Sequence, residues 1–174
     1  VCGTGHSLTL VEALFTATSA VCVTGLAVLD TGKDFTFVGK SVLLLLIQLG
    51  GLGIMVLSSG ILLLLGGRLG LREKSVLKAT VPGLQFSGAG SLLKGTMIFT
   101  FAVEALGAVL LFLCWLPRMS WQDAAGSAVF HSISAFCNAG FSLNSDSLMG
   151  DVDSPGVNLV VMALIVVGGF FIRR

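Results

Sequence analysis

The chain has 174 residues, a mean hydropathy of +0.99, 55% hydrophobic residues, 11% charged residues and a formal net charge of +1. A soluble domain carries about 25% charged residues, so a water-soluble fold could not bury this much apolar surface and lipid is the expected solvent. A charge so close to zero gives no reason to invoke nucleic acid. Four cysteines without CxxC spacing (Cys2, Cys22, Cys114, Cys137) support neither a disulfide framework nor a transition-metal site.

The first residues, VCGTGHSLTL, contain no basic region and no long apolar core, so they do not read as a signal peptide. They also lack Met, so the sequence reads as an interior piece of a longer chain. Thr9-x-x-Glu12 is a capping-box-like start that predicts a short helix reaching about Ala20. Residues 41–66 form an uncharged apolar stretch of 26 residues. As a helix it would be about 39 Å long, enough to cross a ~30 Å hydrocarbon core with tilt.

Residues 67–95 carry Arg68, Arg72, Lys74, Lys78 and Lys94 against Glu73 alone. A Lys/Arg excess marks the cytoplasmic side. The opposite connections are richer in acid: Glu12, Asp30, Asp34, Asp123, Asp146, Asp151 and Asp153 against Lys33, Lys40 and Arg118. Residues 96–116 form a second span with one charge, Glu104. Ser120-x-x-Asp123 then opens a second short helix, expected to reach about Ala135. Residues 157–172 number only 16, below the usual minimum of about 17, and read as a span cut short.

The short helices belong to a repeat. Residues 13–25 read ALFTATSAVCVTG and residues 128–140 read AVFHSISAFCNAG. At a constant offset of 115, Ala13, Phe15, Ser19, Ala20, Cys22 and Gly25 recur as Ala128, Phe130, Ser134, Ala135, Cys137 and Gly140. Each copy precedes an apolar stretch with a glycine pair, Gly50-Gly51 and Gly168-Gly169. Two crossings separate equivalent points, so the copies share one orientation and both face outward. An inverted-repeat carrier needs the opposite relation.

Each repeated helix is too short to span and ends in a small-residue run, Cys22-Val23-Thr24-Gly25 or Cys137-Asn138-Ala139-Gly140. Non-helical backbone at membrane depth is tolerated only in a protein interior or beside a watery path. Small residues and Gly let such a backbone run extended, with carbonyls turned to one side. Carbonyl rings can replace the hydration shell of a monovalent cation. The blander alternative is a tight turn with Gly as helix cap. Two copies in register, each followed by a matching span, favour the re-entrant loop.

With these residues in place, the sequence resembles the Trk/Ktr/HKT superfamily of potassium transporters, closest to the bacterial Ktr and Trk membrane subunits. The matching stretches are TATSAVCVTGL, LIQLGGLGIM and FHSISAFCNAGFS. The resemblance implies an all-α integral membrane subunit of four membrane–pore-loop–membrane repeats around a pseudo-fourfold pore axis, two of them present here. Repeat 1 covers residues 1–66 without its first membrane helix. Residues 67–95 form the cytoplasmic connector, and residues 96–174 form repeat 2 with a truncated last helix.

By the same resemblance, Gly25 and Gly140 are filter glycines, and the carbonyls of Cys22, Val23, Thr24, Cys137, Asn138 and Ala139 are K+ ligands. Gly25, where Ser accompanies Na+ transport in the plant branch, favours K+. The family also implies a homodimer in the cell membrane, bound to a cytosolic nucleotide-binding ring. K+ is the transported ion, and the chain needs no cofactor of its own. A cation-coupled symporter and a non-conducting scaffold are the alternatives; no enzyme chemistry is supported.

The remaining polar and small residues take supporting roles. Glu104 is expected to bond a neighbouring pore helix or backbone amide, and Gln48 to pack or to bond a filter loop. Gly50, Gly51 and Gly53 should permit close helix approach. His131 is read as a hydrogen-bonded support for the filter, and His6 as a surface residue. Cys22 and Cys137 are read as small residues packed behind the filter. Asp146, Asp151 and Asp153 are expected to form a solvated vestibule. Arg173 and Arg174 fall opposite Met55 and Val56 in mid-span.

Overall fold

The computed structural model describes residues 9–66 and 88–173. Cys2, His6, most of the basic connector (Arg68, Arg72, Lys74, Lys78) and Arg174 lie outside the described residues. The helices are α1 (Leu10–Val21), α2 (Phe37–Gly66), α3 (Gly88–Trp115), α4 (Trp121–Phe136) and α5 (Pro155–Arg173), with a 3-10 turn at Met149–Asp151. The architecture is all-helical.

The caps behave as their sequences dictate. The Thr9 side chain accepts from the Glu12 N–H at 3.4 Å, and Glu12 Oε2 accepts from the Thr9 N–H at 2.9 Å, closing a full capping box. Ser120 accepts from the Asp123 N–H at 3.3 Å, but its hydroxyl then donates to the Asp123 carboxylate at 2.7 Å. The ends of α1 and α4, Val21 and Phe136, keep the repeat offset. Their starts do not: α4 has 16 residues against 12 in α1, so the second copy begins about one turn earlier.

α2 and α3 contain 30 and 28 residues and take in the two longer apolar stretches. Among the described residues, Lys94–Trp115 is long and apolar enough to cross a membrane, with 22 residues and a mean hydropathy of 2.3. The third stretch is longer than the apolar run alone indicated. α5 starts at Pro155, whose fixed φ and missing N–H suit a first helical position, and has 19 residues. At 1.5 Å per residue that is about 28 Å.

α4 is held between α3 and α5 and also meets α2, while α1 packs on α2. One core cluster joins Ala20, Leu43, Ile47, Phe136, Cys137, Ala139, Phe141 and Leu164. A second joins Leu111, Trp115, Ala124, Ala128, Val157 and Val161. Many large apolar side chains point outward instead, among them Phe37 at 84% and Leu10 at 78% exposure. In lipid there is little hydrophobic drive between helices, so close packing through small residues takes its place. Gly50 on α2 and Gly168 on α5 show this. A Cβ at Gly50 would collide with the Val21 carbonyl oxygen, and one at Gly168 with the Phe136 carbonyl oxygen. Each glycine thus seats the last residue of the short helix of its own repeat.

Candidate ion-binding site

The two short helices end in the same backbone device. In the first, the Val23 N–H bonds the Ala20 carbonyl at 3.2 Å and the Thr24 N–H bonds the Ser19 carbonyl at 2.9 Å. In the second, the Asn138 N–H bonds Ala135 at 3.1 Å and the Ala139 N–H bonds Ser134 at 2.8 Å. This pairing is the Schellman motif. It turns the N–H groups back onto the helix, and their own carbonyls lie beyond the helix end. The helix dipole places negative character at that end, which suits a cation.

The left-handed cap residue is not the glycine. It is Val23 at φ +56° and Asn138 at φ +58°. Gly25 and Gly140 are also left-handed, at φ +76° and +74°. So each run is not simply extended: Cys22 and Cys137 are right-handed, and the next positive φ values fall two residues apart. Asn tolerates this region, but a β-branched Val there is an outlier. Nothing in the composition of VCVTG signals it. A clue was available in the second copy, where Asn occupies the matching position.

The loops meet at their glycines. A Cβ on Gly25 would stand 2.6 Å from the Ala139 carbonyl oxygen and 3.1 Å from the Gly140 Cα. Side chains then anchor the loops. Thr24 Oγ1 donates to the Ser19 hydroxyl at 2.9 Å, and Ser134 Oγ donates to the Phe141 carbonyl at 2.6 Å. Asn138 Nδ2 reaches the carbonyls of Phe136 and Ile165, each at 3.3 Å, tying the second loop to α5. A cleft of about 200 Å³ lies beside this loop, with His131, Ser134, Asn138, Gly140 and Ser142 on its walls.

The supporting residues fall out as follows. His131 is buried; its Nδ1 pairs with the Ser127 carbonyl at 2.8 Å and its Nε2 with the Ser142 hydroxyl at 2.9 Å. Its ring also meets Trp115 edge-on, with centroids 5.2 Å apart. Gln48 does not bond a loop directly: its Nε2 donates to Glu104 Oε2 at 3.1 Å. Glu104 in turn faces Cys137 Sγ at 3.9 Å, and its backbone carbonyl accepts from Ser132 Oγ at 2.7 Å. Cys137 is buried, with its sulfur seated against Gly51. Cys22 is exposed, contrary to the expectation that both cysteines pack behind the loops, because no helix of the described residues covers that side of α1. Among the described residues, Gly53 has open space where a Cβ would be and mediates no close approach.

The connections that carry the acidic residues correct a second expectation. Asp151 is not solvated. It is 7% exposed, accepts from Trp115 Nε1 at 3.0 Å and pairs with Arg118 at 3.1 Å. Asp146 and Asp153 are exposed. Asp30 sits in the other connection. The Ser145 hydroxyl, reinforced by the N–H groups of Gly32 and Lys33, holds its carboxyl below the usual carboxylate range. That bond joins the two connections, and Gly32 lies directly on the Leu143 carbonyl.

Comparison with known proteins shows the family. Residues 2–172 match the family model TrkH, described as a cation transport protein. The chain is 46% identical over 162 residues to the Ktr system potassium uptake protein B of Vibrio alginolyticus, covering 93% of this chain and 36% of that protein. It is 42% identical over 166 residues to the protein of the same name from Bacillus subtilis, covering 95% and 37%. It is 36% identical over 165 residues to the potassium/sodium uptake protein NtpJ of Enterococcus hirae, covering 95% and 37%. The chain therefore spans little more than a third of the length of these relatives. The family is one of cation transporters and not of enzymes, and with a family model matched over nearly its whole length the chain belongs to the TrkH family of cation transport proteins.

Proposed function

We propose that this chain is part of the pore-forming subunit of a K+ uptake system in the cell membrane. Its two repeats, residues 1–66 with a pore helix, a filter loop and a membrane helix and residues 96–174 with a membrane helix on either side of the pore loop, are parallel and supply two of four filter strands. K+ is held by the backbone carbonyls of Cys22, Val23, Thr24 and Gly25 and of Cys137, Asn138, Ala139 and Gly140. The observation that carries this reading is the matched pair of loop backbones. Both have positive φ at the second and fourth residues after the helix, and both turn their N–H groups back onto the helix end. Carbonyls presented at the negative end of a helix suit a weakly hydrated monovalent cation. The relatives named as potassium uptake proteins support K+ as the ion.

The loops open outward and residues 67–95 face the cytoplasm. Lipid surrounds the helices, and the exposed apolar faces of α1, α2 and α5 suit it or further repeats. The names of two relatives place them in a Ktr system, which fits a second component. By family resemblance that component is a nucleotide-binding ring beneath a homodimer.

The test is Gly25→Ser in the full-length protein, with K+ and Na+ uptake measured in cells that lack other K+ uptake. A lowered K+/Na+ ratio is expected; an unchanged ratio at normal membrane insertion removes Gly25 from the filter. The name of the Enterococcus relative, a potassium/sodium uptake protein, favours one second reading, a cation-coupled carrier. Strict dependence of K+ uptake on Na+ would select it.

A further inference from the structure

Glu104 lies within α3, in the stretch apolar enough to span a membrane, and is only 4% exposed. A carboxylate at that depth is costly unless it is partnered. Its partners come from two other elements. Oε2 accepts from Gln48 Nε2 on α2 at 3.1 Å, and Oε1 faces Cys137 Sγ at the end of α4 at 3.9 Å. The same residue holds the body of α4 through its backbone, with Ser132 Oγ 2.7 Å from its carbonyl oxygen.

Two glycines make this meeting possible. Gly51 lies three residues beyond Gln48, on the same face of α2. A Cβ there would stand 2.6 Å from Cys137 Sγ. Gly107 lies three residues beyond Glu104, and a Cβ there would stand 2.6 Å from Ser132 Oγ. About one turn beyond Glu104, Gly107 thus opens the gap that seats the Ser132 it holds; about one turn beyond Gln48, Gly51 opens the gap that seats the Cys137 that Glu104 faces. Gln48 Oε1 is buried without a hydrogen-bond partner among the described residues, so Glu104 is what orients the Gln48 amide.

We propose that Glu104 is a positioning residue for the second loop: through Cys137, and steadied by Gln48, it sets where the carbonyls of residues 137–140 stand and so how well the loop discriminates K+ from Na+. This rests on the filter reading above. Cys137 is the cap of α4 and the first residue of the loop. A shift of its side chain therefore moves the carbonyls that follow. The matching Cys22 is exposed, so among the described residues only the second loop has this brace.

The experiment compares Glu104→Ala, Glu104→Gln, Gln48→Leu and Gly140→Ser in the full-length protein. The readout is the K+/Na+ uptake ratio, normalised to protein inserted in the membrane. Glu104→Ala is expected to lower the ratio about fivefold, the scale of one lost hydrogen bond. Glu104→Gln keeps an acceptor and should restore most of it. Gln48→Leu should lower it by less than Glu104→Ala, and decides the matter if Glu104→Ala does not insert. An unchanged ratio in an inserted Glu104→Ala or Gln48→Leu protein, with Gly140→Ser altered, overturns the positioning role and leaves the filter reading standing. An unchanged ratio in Gly140→Ser overturns both.

Discussion

Gly25 and Gly140 lie against each other with nearly the same backbone conformation, φ +76° and +74°, but they are not equally crowded. A Cβ on Gly140 would make only an ordinary 3.5 Å contact with the Gly25 Cα. One on Gly25 would press to 2.6 Å from the Ala139 carbonyl oxygen. Both substitutions incur the left-handed penalty of roughly 1–2 kcal/mol for an L-residue. Only Gly25→Ala adds a clash with backbone. Gly25→Ala should therefore lower the melting temperature and K+ uptake more than Gly140→Ala, and equal effects would contradict the asymmetry.

Val23 occupies a left-handed position that its repeat counterpart fills with Asn138. Replacing it with Asn or Gly removes a β-branched residue from an unfavourable region. Val23→Asn and Val23→Gly are expected to stabilise the protein by about 1 kcal/mol, read as a raised melting temperature in detergent. The reverse exchange, Asn138→Val, should destabilise by more. It adds the strain and also removes the bonds to Phe136 and Ile165.

Gly50 and Gly53 of α2 and Gly168 of α5 are separable. Gly50→Ala would drive a methyl into the Val21 carbonyl, and Gly168→Ala on α5 would do the same to the Phe136 carbonyl at the end of α4. Overpacking of this kind costs typically 1–3 kcal/mol, and both variants should lose stability and uptake. Gly53→Ala meets nothing among the described residues and should be tolerated. Thermal unfolding of the three variants side by side distinguishes these outcomes.

Asp151 holds Trp115 and Arg118 from a buried position. Asp151→Ala would leave the Trp115 indole N–H without its acceptor, a loss of about 1–3 kcal/mol. Asp151→Asn keeps an oxygen for that bond and should be milder. Because Trp115 also packs on His131, the Ala variant should alter uptake as well as lower the melting temperature. A wild-type melting temperature for Asp151→Ala would show that the bond does not matter.

Much of the architecture is legible in the residues. Hydropathy marked the three long helices, and Thr9 and Ser120 marked the starts of the two short ones. The constant offset of 115 marked their ends, which fall within a residue of expectation. These features are local: a cap bonds residues three apart, and an apolar stretch announces its solvent whatever lies beside it.

What the sequence determined by itself is therefore an all-helical chain of membrane-protein character with a short helix and small-residue loop occurring twice. Tertiary structure decided the rest. It put Val23 in a left-handed conformation that its own side chain disfavours. It buried Asp151 between Trp115 and Arg118, more than thirty positions away. It joined Glu104 to Gln48 across 56 positions, and it told Gly50, which seats a helix end, from Gly53, which seats nothing among the described residues. Each of these depends on which distant surface arrives opposite a residue, and neither composition nor spacing carries that information.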